Sequence, residues 1–155
     1  MTMTLREELR QTKPFTSLEQ EAFLSIIRTS VRLQDSFELM LKPYGVTATQ
    51  YNVLRILRGA GEKGLCRNEV RERLVSRMPD VTRLLDRMEE AGWVARDRNT
   101  EDRRLVSTRL TKAGRELVDS LDKPDEEDSR RRLGHLSESQ LRTLVELLAL
   151  ARSSW

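Results

Sequence analysis

The chain has 155 residues, of which 37% are hydrophobic and 34% charged, and its mean hydropathy of −0.59 excludes a helical membrane protein. No apolar run approaches the roughly 20 residues that a spanning helix needs. One cysteine, Cys66, and one histidine, His135, exclude an internal disulfide framework and an all-Cys/His metal site, and nothing calls for a cofactor. The net charge of +3 and isoelectric point near 9.3 point only weakly to an anionic partner.

Residues 1–16 read as a flexible N-terminal segment. Arg6, Glu7, Glu8 and Arg10 stand where a secretion signal would carry an apolar stretch, so a cytoplasmic location is expected. From Ser17 to Leu41, Phe23, Ile26, Ile27, Val31, Phe37, Met40 and Leu41 recur at helical spacing. Ser17 with Gln20 forms a capping-box pattern at the start of this first helix, and Pro43 with Gly45 ends it. Thr47 with Gln50 opens a second helix, with Tyr51, Leu54 and Leu57 on one face and Gly59 at its end. The stretch Gly59 to Gly64 fits the G-x-G-x-x-G pattern, but it follows a helix rather than a strand. It therefore reads as a helix stop and a turn, not a dinucleotide site.

Leu65 is expected in a very short strand, and Arg67 to Leu74 in a third helix. A fourth helix starts with Pro79 at its favoured first position, carries Val81, Leu84, Leu85 and Met88 inward, and closes at Gly92. The third and fourth helices form a helix-turn-helix. Trp93 to Arg96 and Leu105 to Leu110 then read as a β-hairpin around a polar tip, Asn99 to Asp102. Thr111 caps a fifth helix, which Pro124 is expected to kink or restart. Ser137 with Gln140 caps a last one bearing Leu141, Leu144, Val145, Leu147 and Leu148. The fold class is thus mainly α with a small β-wing. It comprises a dimerisation helix over 17–43, a winged helix-turn-helix over 44–115, and C-terminal dimerisation helices over 116–155.

A helix-turn-helix followed at once by a hairpin is the order of a winged helix, whose second helix enters the major groove of double-stranded DNA. Between Tyr51 and Arg115 there are sixteen Lys or Arg against ten Asp or Glu, an excess of six positive charges. On the recognition helix the inward apolar set leaves Asp80, Thr82, Arg83 and Arg87 outward, with Arg77 just before them. Arginine grips guanine or phosphate with two hydrogen bonds. The alternative is a salt-bridged surface, because Arg83 to Arg87 and Asp86 to Glu90 are i, i+4 neighbours and Asp86 can neutralise Arg87. In the wing, Arg98, Arg103 and Arg104 surround the tip, where cations reach a narrow minor groove, while Asp102 and Arg104 can brace the loop.

Three segments, Gln50-Tyr51-Asn52-Val53-Leu54-Arg55, Asp80 through Val94, and Asp102-Arg103-Arg104 followed by Leu110-Thr111-Lys112-Ala113-Gly114, resemble the MarR (multiple-antibiotic-resistance regulator) family in residues and in order. The resemblance implies a DNA-binding homodimer, usually a repressor, recognising a pseudo-palindromic operator. It also implies a wing with Asp102 as brace and an effector, a small aromatic or lipophilic molecule or an oxidant. Phe37, Tyr44 and Tyr51 are the candidate pocket residues. Cys66, ahead of the third helix, leaves open a redox-responsive regulator, and a winged helix that docks protein without binding DNA is the other alternative. Pro124 departs from the family's long fifth helix. No enzyme constellation is present, and isolated His135 has no nucleophile partner.

Overall fold

The computed structural model describes residues 3–98 and 106–153, with the backbone alone at 98. Thr4 and Glu7 cap a single turn, α1 (Leu5–Glu8), where a flexible segment was expected. The Glu8 carboxylate lies 3.6 Å from Arg28 and 3.1 Å from Arg32, which pins this turn to the next helix. That helix, α2 (Leu18–Leu41), is capped by Ser17. Its expected box closes one residue early, because Gln20 accepts from the backbone and hydroxyl of Thr16 rather than from Ser17.

A short 3-10 turn with Pro43 at its start runs into left-handed Gly45, and the reciprocal Thr47–Gln50 box then opens α3 (Ala48–Ala60). Helix α3 runs one residue past Gly59. Gly64, at φ 65°, is where the chain crosses the sheet, and a Cβ there would come within 2.4 Å of the Thr108 carbonyl. Strand β1 (Leu65–Cys66) leads directly into α4 (Arg67–Arg73).

Helix α5 (Val81–Glu90) begins two residues later than the position of Pro79 suggests. Asp80 is the better cap, since its carboxylate accepts from the Arg83 backbone N–H at 2.9 Å and leaves Pro79 in the connecting turn. Strands β2 (Val94–Arg98) and β3 (Val106–Leu110) pair antiparallel with Arg96 opposite Thr108, and β1 adds to the far edge of β3.

Thr111 caps α6 (Lys112–Leu133), a single helix that passes through Pro124 without restarting. An interior proline costs about 3 kcal/mol through the lost hydrogen bond and its ring clash. The turns flanking Pro124 are fastened to α3. Arg58 donates to Asp119 and Asp122 on one side of it, and Tyr51 and Arg55 donate to Asp125 on the other. This anchoring overrides the local break. Helix α7 (Glu138–Arg152) follows, opened by the Ser137–Gln140 box. No helix among the described residues is long and apolar enough to cross a membrane.

The core lies in the middle of the chain. Val53, Leu54, Leu57, Val70, Met88, Val118 and Leu121 are fully buried, whereas α2 buries only Leu41 and α7 buries nothing. Large apolar side chains instead stand open on both helices, among them Phe23 (61% exposed) on α2 and Leu150 (68%) on α7. Gly114 locks the wing to α6, because a Cβ there would meet the Trp93 carbonyl oxygen at 2.0 Å, the same oxygen that accepts from the Thr111 N–H. Replacing Gly114 by Ala is expected to lower stability by about 1–3 kcal/mol through overpacking, read as a lower urea midpoint. An unchanged midpoint would show that the junction is loose.

Candidate nucleic-acid interface

Helix α5 places its residues on two faces. Val81, Leu84, Leu85 and Met88 pack into the core, while Thr82, Arg83, Asp86, Arg87, Glu89 and Glu90 are exposed. The fates of the polar side chains separate cleanly. Asp80 is exposed beside the arginines, as expected, and its carboxylate caps the helix. Thr82 Oγ1 accepts from Arg67 at the start of α4, at 3.1 Å. Asp86 pairs with Arg96 of β2, which also approaches Glu89 at 3.4 Å. Asp86 therefore does not neutralise Arg87, because the wing has already claimed it. The side chains of Arg83 and Arg87 make no hydrogen bond or ion pair to the described residues, and that of Arg77 is likewise exposed and unpaired among them. Three guanidinium groups are thus left free on or just ahead of a helix whose carboxylates are mostly occupied.

Three residues that sequence reasoning did not single out hold this helix in place. Arg67 fixes its first turn and Arg96 its middle, while Asn52 of α3 accepts the Val75 N–H in the turn that precedes it. Each reaches across elements far apart in sequence, so no local spacing signals it. In the wing, Arg109 pairs with Asp97 across β2 and β3 at 2.7 Å. Asp102, Arg103 and Arg104, with the side chain of Arg98, lie outside the described residues.

The sequence profile of the MarR family matches residues 46–106. The chain is 30% identical over 124 residues to the HTH-type transcriptional regulator PrsX of Escherichia coli, a match spanning 77% of this chain and 75% of that one. The chain belongs to the MarR family. A MarR transcription factor from Planctomyces limnophilus is 39% identical, covers 88% of this chain and 99% of its own, and superposes with a TM-score of 0.68. The BpsR protein of Bordetella bronchiseptica, whose DNA binding is regulated by 6-hydroxynicotinic acid, is 25% identical with a TM-score of 0.78 over 91% of this chain and 99% of that one. Membership of this MarR family makes the chain a DNA-binding transcription regulator and not an enzyme.

Of the residues expected to line an effector pocket in this MarR chain, the structure brings two together. Phe37 and Tyr51 lie with ring centroids 5.8 Å apart and line a cleft of about 510 Å³ between α2 and α3, which extends to Val75 and Ser76. Tyr44 is exposed on the 3-10 turn and does not line this cleft. The reason is that Pro43 and Gly45 turn the chain away before α3 begins. Behind the cleft, the Arg132 guanidinium lies over the Phe37 ring at 5.1 Å, pairs with buried Asp128 at 2.8 Å, and donates to the Leu33 carbonyl, closing α6 onto α2. Cys66 is half-buried as the N-cap of α4, its backbone N–H held by Glu69 at 2.8 Å. His135 is exposed at the α6–α7 joint.

The Tyr51 hydroxyl donates to Asp125 at 3.1 Å. Burial, and then the Asp125 charge, push the phenol from its ordinary 10 up to about 12. Because the folded state holds this proton more tightly than the unfolded chain, its contribution to stability is complete below pH 10 and is lost as pH rises towards 12. In a Tyr44→Phe background, which leaves Tyr51 as the one tyrosine, the native phenolate absorbance is expected to appear near pH 12. Asp125→Asn is expected to move it down without restoring 10, since burial is the larger cause. Ionisation at 10 in the folded protein would refute the buried placement.

Proposed function

We propose that the protein is a cytoplasmic homodimeric repressor that binds a pseudo-palindromic operator and is released by a small aromatic or lipophilic effector. The observation that carries this reading is the free guanidinium set of Arg77, Arg83 and Arg87 on and just before α5, beside carboxylates already engaged elsewhere. Arginine left unpaired on a recognition helix has its hydrogen-bonding fork available for guanine or phosphate. Thr82 shares the face, and the wing adds Arg98, Arg103 and Arg104 on sequence grounds, with Asp102 as a brace. The protein-docking alternative has no comparable feature to support it.

Dimerisation is supported by the uncovered apolar faces of α2 and α7. A closed twofold assembly would bury them and present two α5 helices about 34–36 Å apart, one helical turn of DNA. The effector is assigned to the cleft beside Phe37 and Tyr51, whose volume of about 510 Å³ lies within the usual range for small-molecule sites. An occupant shifts DNA binding only by its differential affinity for the two arrangements of the dimer. Such effector control has its parallel in BpsR and 6-hydroxynicotinic acid.

The test separates base reading from phosphate attraction. Arg83→Ala is expected to cost about 1–3 kcal/mol on the cognate duplex and to relax preference at one position in each half-site. Arg103→Ala is expected to weaken all duplexes alike and to flatten the slope of log affinity against log salt by about 0.9. If both variants bind cognate and scrambled duplexes as the wild type does across the salt series, the proposal fails.

A further inference from the structure

The connection between α4 and α5 carries the presentation of the recognition helix, yet little holds it. Helix α4 ends on Leu74 in extended backbone (φ −65°, ψ 137°). Among the described residues, the backbone of residues 75–79 then makes one hydrogen bond, from the Val75 N–H to Asn52 Oδ1 at 2.9 Å. Beyond it the segment is fastened only by partly buried Leu74 and Met78 against the core. Val75 itself is 91% exposed, and Ser76 and Arg77 are exposed as well. Asn52 stands on α3 between two residues that are firmly placed, Tyr51 in the core and Val53, which is fully buried. One turn further on, Arg55 reaches Asp125 of α6. The asparagine carboxamide is therefore an acceptor on a rigid element, aimed at a loosely held one.

We infer that Asn52 is a positioning residue for DNA binding. Its side-chain carbonyl ties the turn between α4 and α5 to α3, and so sets where Arg77 and the N-terminus of α5 meet the duplex. Asn52 touches no DNA in this account. It acts through the backbone of Val75, so its loss releases the turn without disturbing the core. An acceptor oxygen at this reach is the chemical requirement, which Asp satisfies and Ala does not. The inference rests on the reading of the protein as a DNA-binding regulator, although the tether itself can be measured without DNA.

The experiment compares wild type, Asn52→Ala and Asn52→Asp in the full chain. It reads amide hydrogen exchange over residues 74–80, exchange in α7, the thermal midpoint, and affinity for a duplex selected by the wild type from random DNA. Losing one such bond is expected to accelerate exchange at Val75 and weaken the selected duplex by about 3- to 10-fold in Asn52→Ala, with α7 exchange unchanged. Asn52→Asp is expected to restore slow exchange at Val75. Wild-type exchange and affinity in Asn52→Ala would overturn the inference. So would equal acceleration in both variants, since the side chain's bulk rather than its oxygen would then be responsible. Should Asn52→Ala melt lower overall, the Ala-to-Asp contrast at Val75 still decides. A wild type that selects no DNA, with that exchange contrast intact, would overturn the functional reading and leave the tether standing.

Discussion

Helix α3 buries Tyr51, Val53, Leu54 and Leu57 almost completely, and every element that positions the DNA-facing surface packs against it or against a neighbour that does. Each such side chain stabilises by about 1.5–3 kcal/mol. The ion pairs that run alongside, from Arg55 and Arg58 to the carboxylates of α6, are half-exposed and contribute about 0–1 kcal/mol each. Burial therefore holds α3 in place, and the ion pairs set its register along α6. The hydrogen bond from Arg58 keeps the Asp122 carboxyl below its usual range. That line of contacts also explains how a helix containing Pro124 stays in one piece, because the residues on both sides of the proline are held from outside the helix.

Polar links from α3, α4 and the wing hold the recognition helix. Asn52 holds the preceding turn, Arg67 reaches Thr82, and Arg96 engages Asp86 and Glu89 from the wing. Such links orient more than they stabilise, since each is worth about 0.5–1.5 kcal/mol net. Their main chemical effect is to occupy the Asp86 and Glu89 carboxylates and the Thr82 hydroxyl of α5. The guanidinium groups of Arg77, Arg83 and Arg87 remain free on that surface, with Glu90 exposed at the far end of the helix, and free guanidinium is what an anionic duplex attracts.

Much of this was legible in the sequence because caps and periodicity are local. Thr47 with Gln50, Thr111, and Ser137 with Gln140 open their helices as their spacing indicates. The inward set Val81, Leu84, Leu85 and Met88 is a plain 3.6-residue stripe. The late start of α5 and the Thr16–Gln20 closure are local shifts of a few residues, and the other failures are tertiary. Asp80 is exposed as expected, and its carboxylate also caps α5, a role not assigned from the sequence. Asp86 found Arg96, ten residues away on a strand, ahead of Arg87 on its own helix. Tyr44 lay close in sequence to the candidate pocket, but the Pro43 and Gly45 turn carried it elsewhere. Asn52, with no apolar pattern or cap signature of its own, gave no sequence signal for its contact with Val75.

The apolar faces that α2 and α7 leave uncovered complete the account only if a second copy covers them, which fixes how two α5 helices are spaced. The most direct measurement is selection of bound sequences from a random DNA pool by the intact protein. The account requires enrichment of an inverted repeat with half-site centres about 10–10.5 base pairs apart. Enrichment of a lone half-site, a direct repeat, or no sequence at all would contradict it.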